Sequence, residues 1–425
     1  MSSQPTTTSQ KPALNGAKIK TRKRESKANA KFDPETFREQ LLTIIDEVDP
    51  NQFDSVYAKL DVTGNTLDYR RYGEPLFEIL ITGGIIAPGG IIEKDDDVES
   101  RYNVFAVEDS VAAIQPHVEV LNKLIRRYKY LLRPLEETLK NLLQHVNKFS
   151  TAEANKLSIL VALLITHQLI PLTIVTALLN DHLVKEGIAL VCLTSILRVC
   201  ISIQGVPQLG RYLKKGKLDD RLIEFFPPNK QDEESFARHF EVEDMKAVVE
   251  LHNSIRENTH KAELTDSVRE MIEEEKTDTE IVLHLKKLVK EHQWTESDVI
   301  GLIWDGIMSA VDWATRPEII ESQTLRQVKD WSRVLAFFTT QPRTEVELLG
   351  HVQVYCYDNA KLMKFFANIV RILYDNDVLS ENAILFWNAK GAKPQGKSIF
   401  LKQMEPFVAA LEEASDDEEE DEEEE

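Results

Sequence analysis

Apolar residues recur along this chain at the spacing of a helix face, in segments of about 12 to 18 residues separated by short polar turns. A strand alternates its faces every second residue, so this periodicity favours helices throughout. Asp33-Pro34 opens the first segment: Asp can cap, Pro suits the first helical position, and Phe37, Leu41, Ile44, Ile45 and Val48 follow on one stripe. Ser150-Thr-Ala-Glu153 is a capping box directly ahead of Leu157, Leu160, Val161 and Leu164. Asp278, Thr295 and Ser322 precede comparable runs. Sixteen glycines and sixteen prolines in 425 residues are few for a protein of turns and sheets. The expected fold class is all-α, with antiparallel helical hairpins stacked as in HEAT-like repeats.

Breaks in the pattern suggest the organisation. Leu157 to Leu179 is apolar, but His167, Gln168 and Pro171 interrupt it, giving two buried helices rather than a membrane span. Gly187 to Ile203 predicts another apolar helix, with Cys192 and Cys200 on a similar, core-facing side. Gly83 to Asp97 holds four glycines and Pro88, which predicts a loop. Phe226 to Glu234, with paired prolines and mixed charges, reads as a hinge between helical domains at 33–226 and 235–411. All five tryptophans lie beyond it, at Trp294, Trp304, Trp313, Trp331 and Trp387, and Trp304 and Trp331 sit on apolar helical faces.

The net charge of -20 is unevenly spread. Glu412 to Glu425 carries twelve carboxylates and no base, whereas residues 1–32 carry eight Lys or Arg against Glu25. Both ends read as disordered segments of opposite sign. Cys192, Cys200 and Cys356 form no CxxC pair, so neither a disulfide framework nor a cysteine zinc site is expected. No apolar run follows the first residues as a secretory signal requires, and a cytoplasmic protein is expected.

Signatures of chemistry were tested in turn. Gly391-Ala-Lys-Pro-Gln-Gly396-Lys397-Ser398 matches a phosphate-binding loop by letter, but such a loop needs a parallel sheet, so a connection between helices is expected. His284 with His292, and His252 with His260, stand eight apart with no third ligand and read as helix-surface histidines. A zipper register through Leu121, Tyr128, Leu135 and Leu142 is interrupted by Pro134, with its bases inside the register rather than before it. No enzyme activity, cofactor or metal is expected.

The run Ile372-Leu-Tyr374-Asp375-Asn-Asp377-Val-Leu-Ser380-Glu381-Asn-Ala-Ile384-Leu-Phe386-Trp387, followed by Gly396-Lys397-Ser398-Ile399-Phe400-Leu401, resembles the first aromatic and acidic box of the two-tryptophan domain of translation initiation factor 5. Upstream, Leu67-Asp-Tyr69-Arg-Arg-Tyr72-Gly-Glu74-Pro-Leu-Phe77, with Gly83-Gly84 and Ala87-Pro88-Gly89-Gly90, resembles the initiation factor 5 mimic family, also called basic leucine zipper and two-tryptophan-domain proteins. The resemblance covers about residues 33 to 425. It implies a MIF4G-like and HEAT-like body with a C-terminal two-tryptophan HEAT domain. It further implies binding to initiation factor 2, especially its lysine-rich beta subunit, and to initiation factor 3 within the small-ribosomal-subunit preinitiation complex. Competition with factor 5 would then limit initiation and raise start-codon stringency. The dispersed cysteines cannot supply the zinc ribbon of factor 5's GTPase-activating domain, which fits binding without activation.

On this resemblance Tyr374, Phe386 and Trp387 are candidate anchors beside Asp375, Asp377 and Glu381, with Phe407, Leu411, Glu412 and Glu413 from the second box. Ala410 stands where the second box normally presents tryptophan, and Asn382 where a second glutamate is usual. Rival readings are a nucleic-acid-binding regulator using the basic N-terminus, a nucleotide-binding enzyme using Lys397, and a general helical scaffold.

Overall fold

The computed structural model describes residues 32–93, 101–311 and 317–423, with the backbone alone at 317–318 and beyond Glu413. Trp313 and the expected disordered N-terminus, apart from Phe32, lie outside the described residues. The chain divides into two compact units at Leu251/His252.

In the first unit the helices are α1 (Pro34–Ile45), α2 (Phe53–Thr63), α3 (Gly73–Thr82), α4 (Val111–Arg127), α5 (Leu132–Gln144), α6 (Thr151–Thr166), α7 (Asp181–Lys185), α8 (Ile188–Gln204), α9 (Val206–Gly216) and α10 (Glu233–Val242). Alternate elements pack on one another along the unit, so α2, α4, α6 and α8 form one row and α1, α3, α5, the 3-10 helix Leu172–Leu178 and α9 the other. Two-row stacking is the arrangement that helical hairpin repeats produce. Asp33 caps α1, accepting from the Thr36 amide at 3.1 Å. Both halves of the Ser150–Glu153 capping box are formed at the start of α6, at 3.3 and 2.9 Å. Cys192 and Cys200 are buried in the core.

Four local expectations need correction. After Pro171 the chain forms a 3-10 helix, not an α-helix. Gly83 to Asp97 contains a short antiparallel ribbon, β1 (Ile85–Ile86) with β2 (Ile92–Glu93). Its glycines serve close approach: a Cβ on Gly90, at φ +82, would lie 2.4 Å from the His145 side chain. Glu78 seats the ribbon by accepting the Ile86 amide at 3.1 Å, and burial pushes its carboxyl up. The expected hinge at Phe226–Glu234 is an exposed connection inside the first unit, bridged by Phe225, Phe226, Phe236 and Phe240, which are buried in one core. His252 is buried rather than on a helix surface.

The second unit comprises most of α11 (Lys246–Glu273), then α12 (Asp278–His292), α13 (Glu296–Ser309), α14 (Pro317–Asp330), α15 (Ser332–Ala336), α16 (Pro342–Asp358), α17 (Phe366–Asp375), α18 (Glu381–Phe386) and α19 (Lys397–Glu423). Here too the packing is two-rowed, α13–α16–α18 beside α14–α17–α19. The unit break falls inside α11, whose Val248 belongs to the first core and whose Leu264 and Val268 belong to the second. A break without proline or glycine leaves no mark in composition. Thr277 caps α12 through a box with Glu280, one residue before the expected Asp278, and Ser322 lies within α14 rather than ahead of it. The acidic segment from Glu412, expected to be disordered, continues α19 to Glu423. Glutamate has good helix propensity, and elongating an anchored helix avoids the nucleation cost. No helix among the described residues is long and apolar enough to cross a membrane.

Burial against Phe53 and Tyr102 pushes the His117 imidazole from its ordinary 6.5 down to about 4. Between those values the unfolded chain binds a proton that the folded chain refuses, so this contribution is whole above pH 6.5 and is lost as pH falls towards 4. The loss is about 3 kcal/mol. His117→Phe should flatten the acid limb of the first unit's stability curve, as read by denaturant titrations between about pH 7 and pH 4.5.

Candidate partner-binding site

The acidic box starts where α17 stops. Val378 N–H bonds the Leu373 carbonyl at 2.9 Å and Asp377 N–H the Tyr374 carbonyl at 3.1 Å, with Asp377 at φ 57. This is a Schellman ending that glycine normally occupies, and holding aspartate there costs about 1 kcal/mol. The turn buries Val378 and Leu379 and leaves Asp375 and Asp377 exposed. Ser380 then caps α18, its Oγ accepting from Ala383 N–H at 3.3 Å, while its own amide donates to Glu345 on α16 at 2.5 Å.

Successive residues of a helix point about 100° apart, so Phe386 and Trp387 cannot share a face. Trp387 is 0% exposed and Phe386 is 54% exposed. The indole N–H of Trp387 donates to Gln353 Oε1 at 3.0 Å, and its ring lies 5.4 Å from Phe366. Gln353, also 0% exposed, accepts the Lys393 amide at 2.9 Å and donates to the carbonyls of Lys393 and Gln395 at 2.8 and 2.7 Å. The segment resembling a phosphate-binding loop therefore joins two helices and is tied down by a glutamine side chain.

This geometry sorts the expected site residues. Trp387 is a core residue whose donor is already used, and Leu411, 5% exposed, faces the same core; as direct contacts both are corrected. Tyr374 and Phe407 are half-buried and meet edge to face at 5.6 Å across α17 and α19. Glu381 is half-exposed, while Glu412, Glu413 and Ala410 are exposed. Phe386 instead projects on the α16 side, into a largely apolar hollow of about 520 Å³ with Pro342, Val346, Asn382 and Ala383. The α16 half of this hollow was missed by sequence reasoning. A glutamine inside the apolar run Leu348 to Cys356 was the signal available.

Elsewhere in the unit Trp304 is fully buried and Trp331 half-buried. The rings of His260 and His292 lie tilted at 4.3 Å, and Trp294 stacks on His292 at 4.5 Å. Among the described residues no group of three or more His, Cys, Asp or Glu is placed to hold a metal.

Gln353→Leu should destabilise the second unit by about 3 kcal/mol, because it strips partners from a buried indole N–H, an amide and two carbonyls. Phe386→Ala removes a mostly exposed ring and should shift stability by less than about 0.5 kcal/mol. Thermal unfolding of the two variants checks the contrast.

Comparison with known proteins adds the family. A model described as "5MP1/2 HEAT domain" matches residues 19–262, and one described as "eIF4-gamma/eIF5/eIF2-epsilon" matches residues 344–421. The chain is 39% identical over 407 residues to human eIF5-mimic protein 1, covering 95% of this chain and 96% of the relative. It is 38% identical to the Gallus gallus eIF5-mimic protein 1, covering 95% and 98%, and 37% identical to the Rattus norvegicus eIF5-mimic protein 2, covering 95% and 96%. Two-row helical stacking, the box at the end of α17 and this coverage agree, and the chain belongs to the eIF5-mimic protein family, regulators related to the translation initiation factors.

Proposed function

We propose that the second unit docks lysine-rich segments of translation initiation factor 2, through its beta subunit, and of initiation factor 3. In doing so the protein competes with initiation factor 5, limits initiation and raises start-codon stringency, acting in the cytoplasm without chemistry of its own. The observation that carries this reading is the outward presentation of Asp375, Asp377, Glu412 and Glu413 at the ends of the helices that carry the Tyr374–Phe407 pair, together with the exposed Phe386 on α18. Carboxylates raise the encounter rate with a polybasic segment, and part-exposed rings then hold the aliphatic stems of its lysines. A rigid mount keeps the ordering cost of docking low. Trp387 contributes indirectly, by setting which way Phe386 turns.

The direct test is competition. Rising amounts of the chain should displace factor 5 from an immobilised lysine-rich segment of the beta subunit, less effectively as salt rises. Simultaneous occupancy by both proteins would rule out the mimicry. Deleting Glu412 to Glu425 should slow association more than it speeds dissociation.

Two substitutions separate binding from stability. Asp377→Gly should stabilise the unit by about 1 kcal/mol, by relieving the left-handed backbone, yet weaken binding of the beta-subunit segment. Ala410→Trp, at an exposed position, should tighten binding by at most about 2 kcal/mol and leave the melting temperature nearly unchanged. Melting curves and dissociation constants on the same preparations check both.

A further inference from the structure

On the first unit, a concavity of about 420 Å³ has the opposite electrostatic character. It lies between the end of α6 and α9. Its floor is aliphatic, from Ile165, Leu169 and Leu172, and its rim carries Arg211 and Lys215. The opposite wall adds no charge, because residues 157–180 contain no Asp, Glu, Lys or Arg.

The walls are built, not incidental. α6 ends in a Schellman turn with Gln168 at φ 58, Leu169 N–H bonding the Leu164 carbonyl at 3.0 Å. α9 ends the same way, with Lys217 at φ 52 and Leu218 N–H on the Leu213 carbonyl at 3.0 Å. A relay clamps them together: Tyr212 hydroxyl donates to Gln204 Oε1 at 2.6 Å, and Gln204 Nε2 to the Thr166 carbonyl at 2.8 Å.

Among the described residues the cations on this rim have no acidic partner. Arg211 bonds only the neutral Gln208 side chain, at 3.0 Å. Among the described residues no carboxylate pairs with Arg211, Lys214, Lys215 or Lys217, whereas the neighbouring Arg221 is paired with Glu224 at 2.7 Å. Lys214 and Lys215 also lie in the last turn of α9, where they complement the helix dipole. Arg211, a turn earlier, has no such use.

We propose that this pocket is a second docking site, for a partner's peptide segment that carries an aliphatic side chain flanked by carboxylates. The aliphatic floor takes the side chain and the Arg211–Lys215 rim takes the charges. A nucleic-acid strand fits less well, because the one ring at the rim, Tyr212, is half-buried with its hydroxyl engaged and offers no platform for base stacking. The protein would then hold partners of both signs, basic segments on its second unit and acidic ones on its first.

The test uses the full chain and three fluorescein-labelled probes: a peptide with one leucine between runs of glutamate, the same peptide with serine for leucine, and oligouridine. The leucine peptide should bind, and R211E/K215E should weaken it about tenfold. The control K129E/K148E makes the same charge change at two exposed lysines elsewhere on the unit and should shift affinity less than about twofold. The serine peptide should bind about tenfold more weakly to the unaltered chain. If R211E/K215E lowers the melting temperature, R211Q/K215Q gives the same reading. Equal losses in both charge-reversal variants, no penalty for serine, no peptide binding at all, or an oligouridine affinity that exceeds the peptide's and disappears in R211E/K215E would each overturn the proposal.

Discussion

The carboxamide of Gln353 sits where three segments of the second unit converge and makes four hydrogen bonds, its Oε1 accepting from the Trp387 indole and the Lys393 amide and its Nε2 donating to the carbonyls of Lys393 and Gln395. Leaving such a group partly satisfied in a core costs more than the bonds themselves return, so the arrangement is close to all-or-none. With Trp387 seated, the rotation of α18 about its axis is set and Phe386 must point out. With the 393–395 segment tied down, α19 starts where Phe400 can pack on Phe366, at 4.6 Å. The exposed acidic and aromatic surface is thus a consequence of a buried polar one.

Charge on this surface acts at a different range from shape. In the proposed docking, the carboxylates of Asp375, Asp377 and the tail would reach over about a Debye length, ~8 Å at physiological salt, and work mainly on encounter. Phe386 and the Tyr374–Phe407 pair would act only at contact, where partly exposed rings on packed helices lose little freedom on docking. The proposed mimicry of another factor would need no more than this: a rigid frame and a matching surface.

Much of the frame was legible in the sequence because its signals are local. Asp33 and the Ser150–Glu153 box announce helix starts within four residues, and both formed as read. Distant packing was less legible. Phe226 to Glu234 looked like a hinge because prolines and charges gather there, yet Phe225, Phe226, Phe236 and Phe240 pack across it. The real division lies inside α11, where a continuous helix changes cores with no change in composition. In the site, Phe386 and Trp387 were both expected as anchors, yet adjacent residues of a helix cannot share a face. Which one faces out depends on Gln353, thirty-four residues earlier in the chain.

Hydrogen–deuterium exchange on the full chain, with and without a lysine-rich peptide from the beta subunit of initiation factor 2, tests the central claim most directly. The account predicts new protection confined to amides of 374–386 and to α19 around Phe407. The segment 393–395, held by Gln353, should already exchange slowly in the free protein and stay unchanged. Protection centred on the first unit, or faster exchange at 393–395 when the peptide binds, would contradict it.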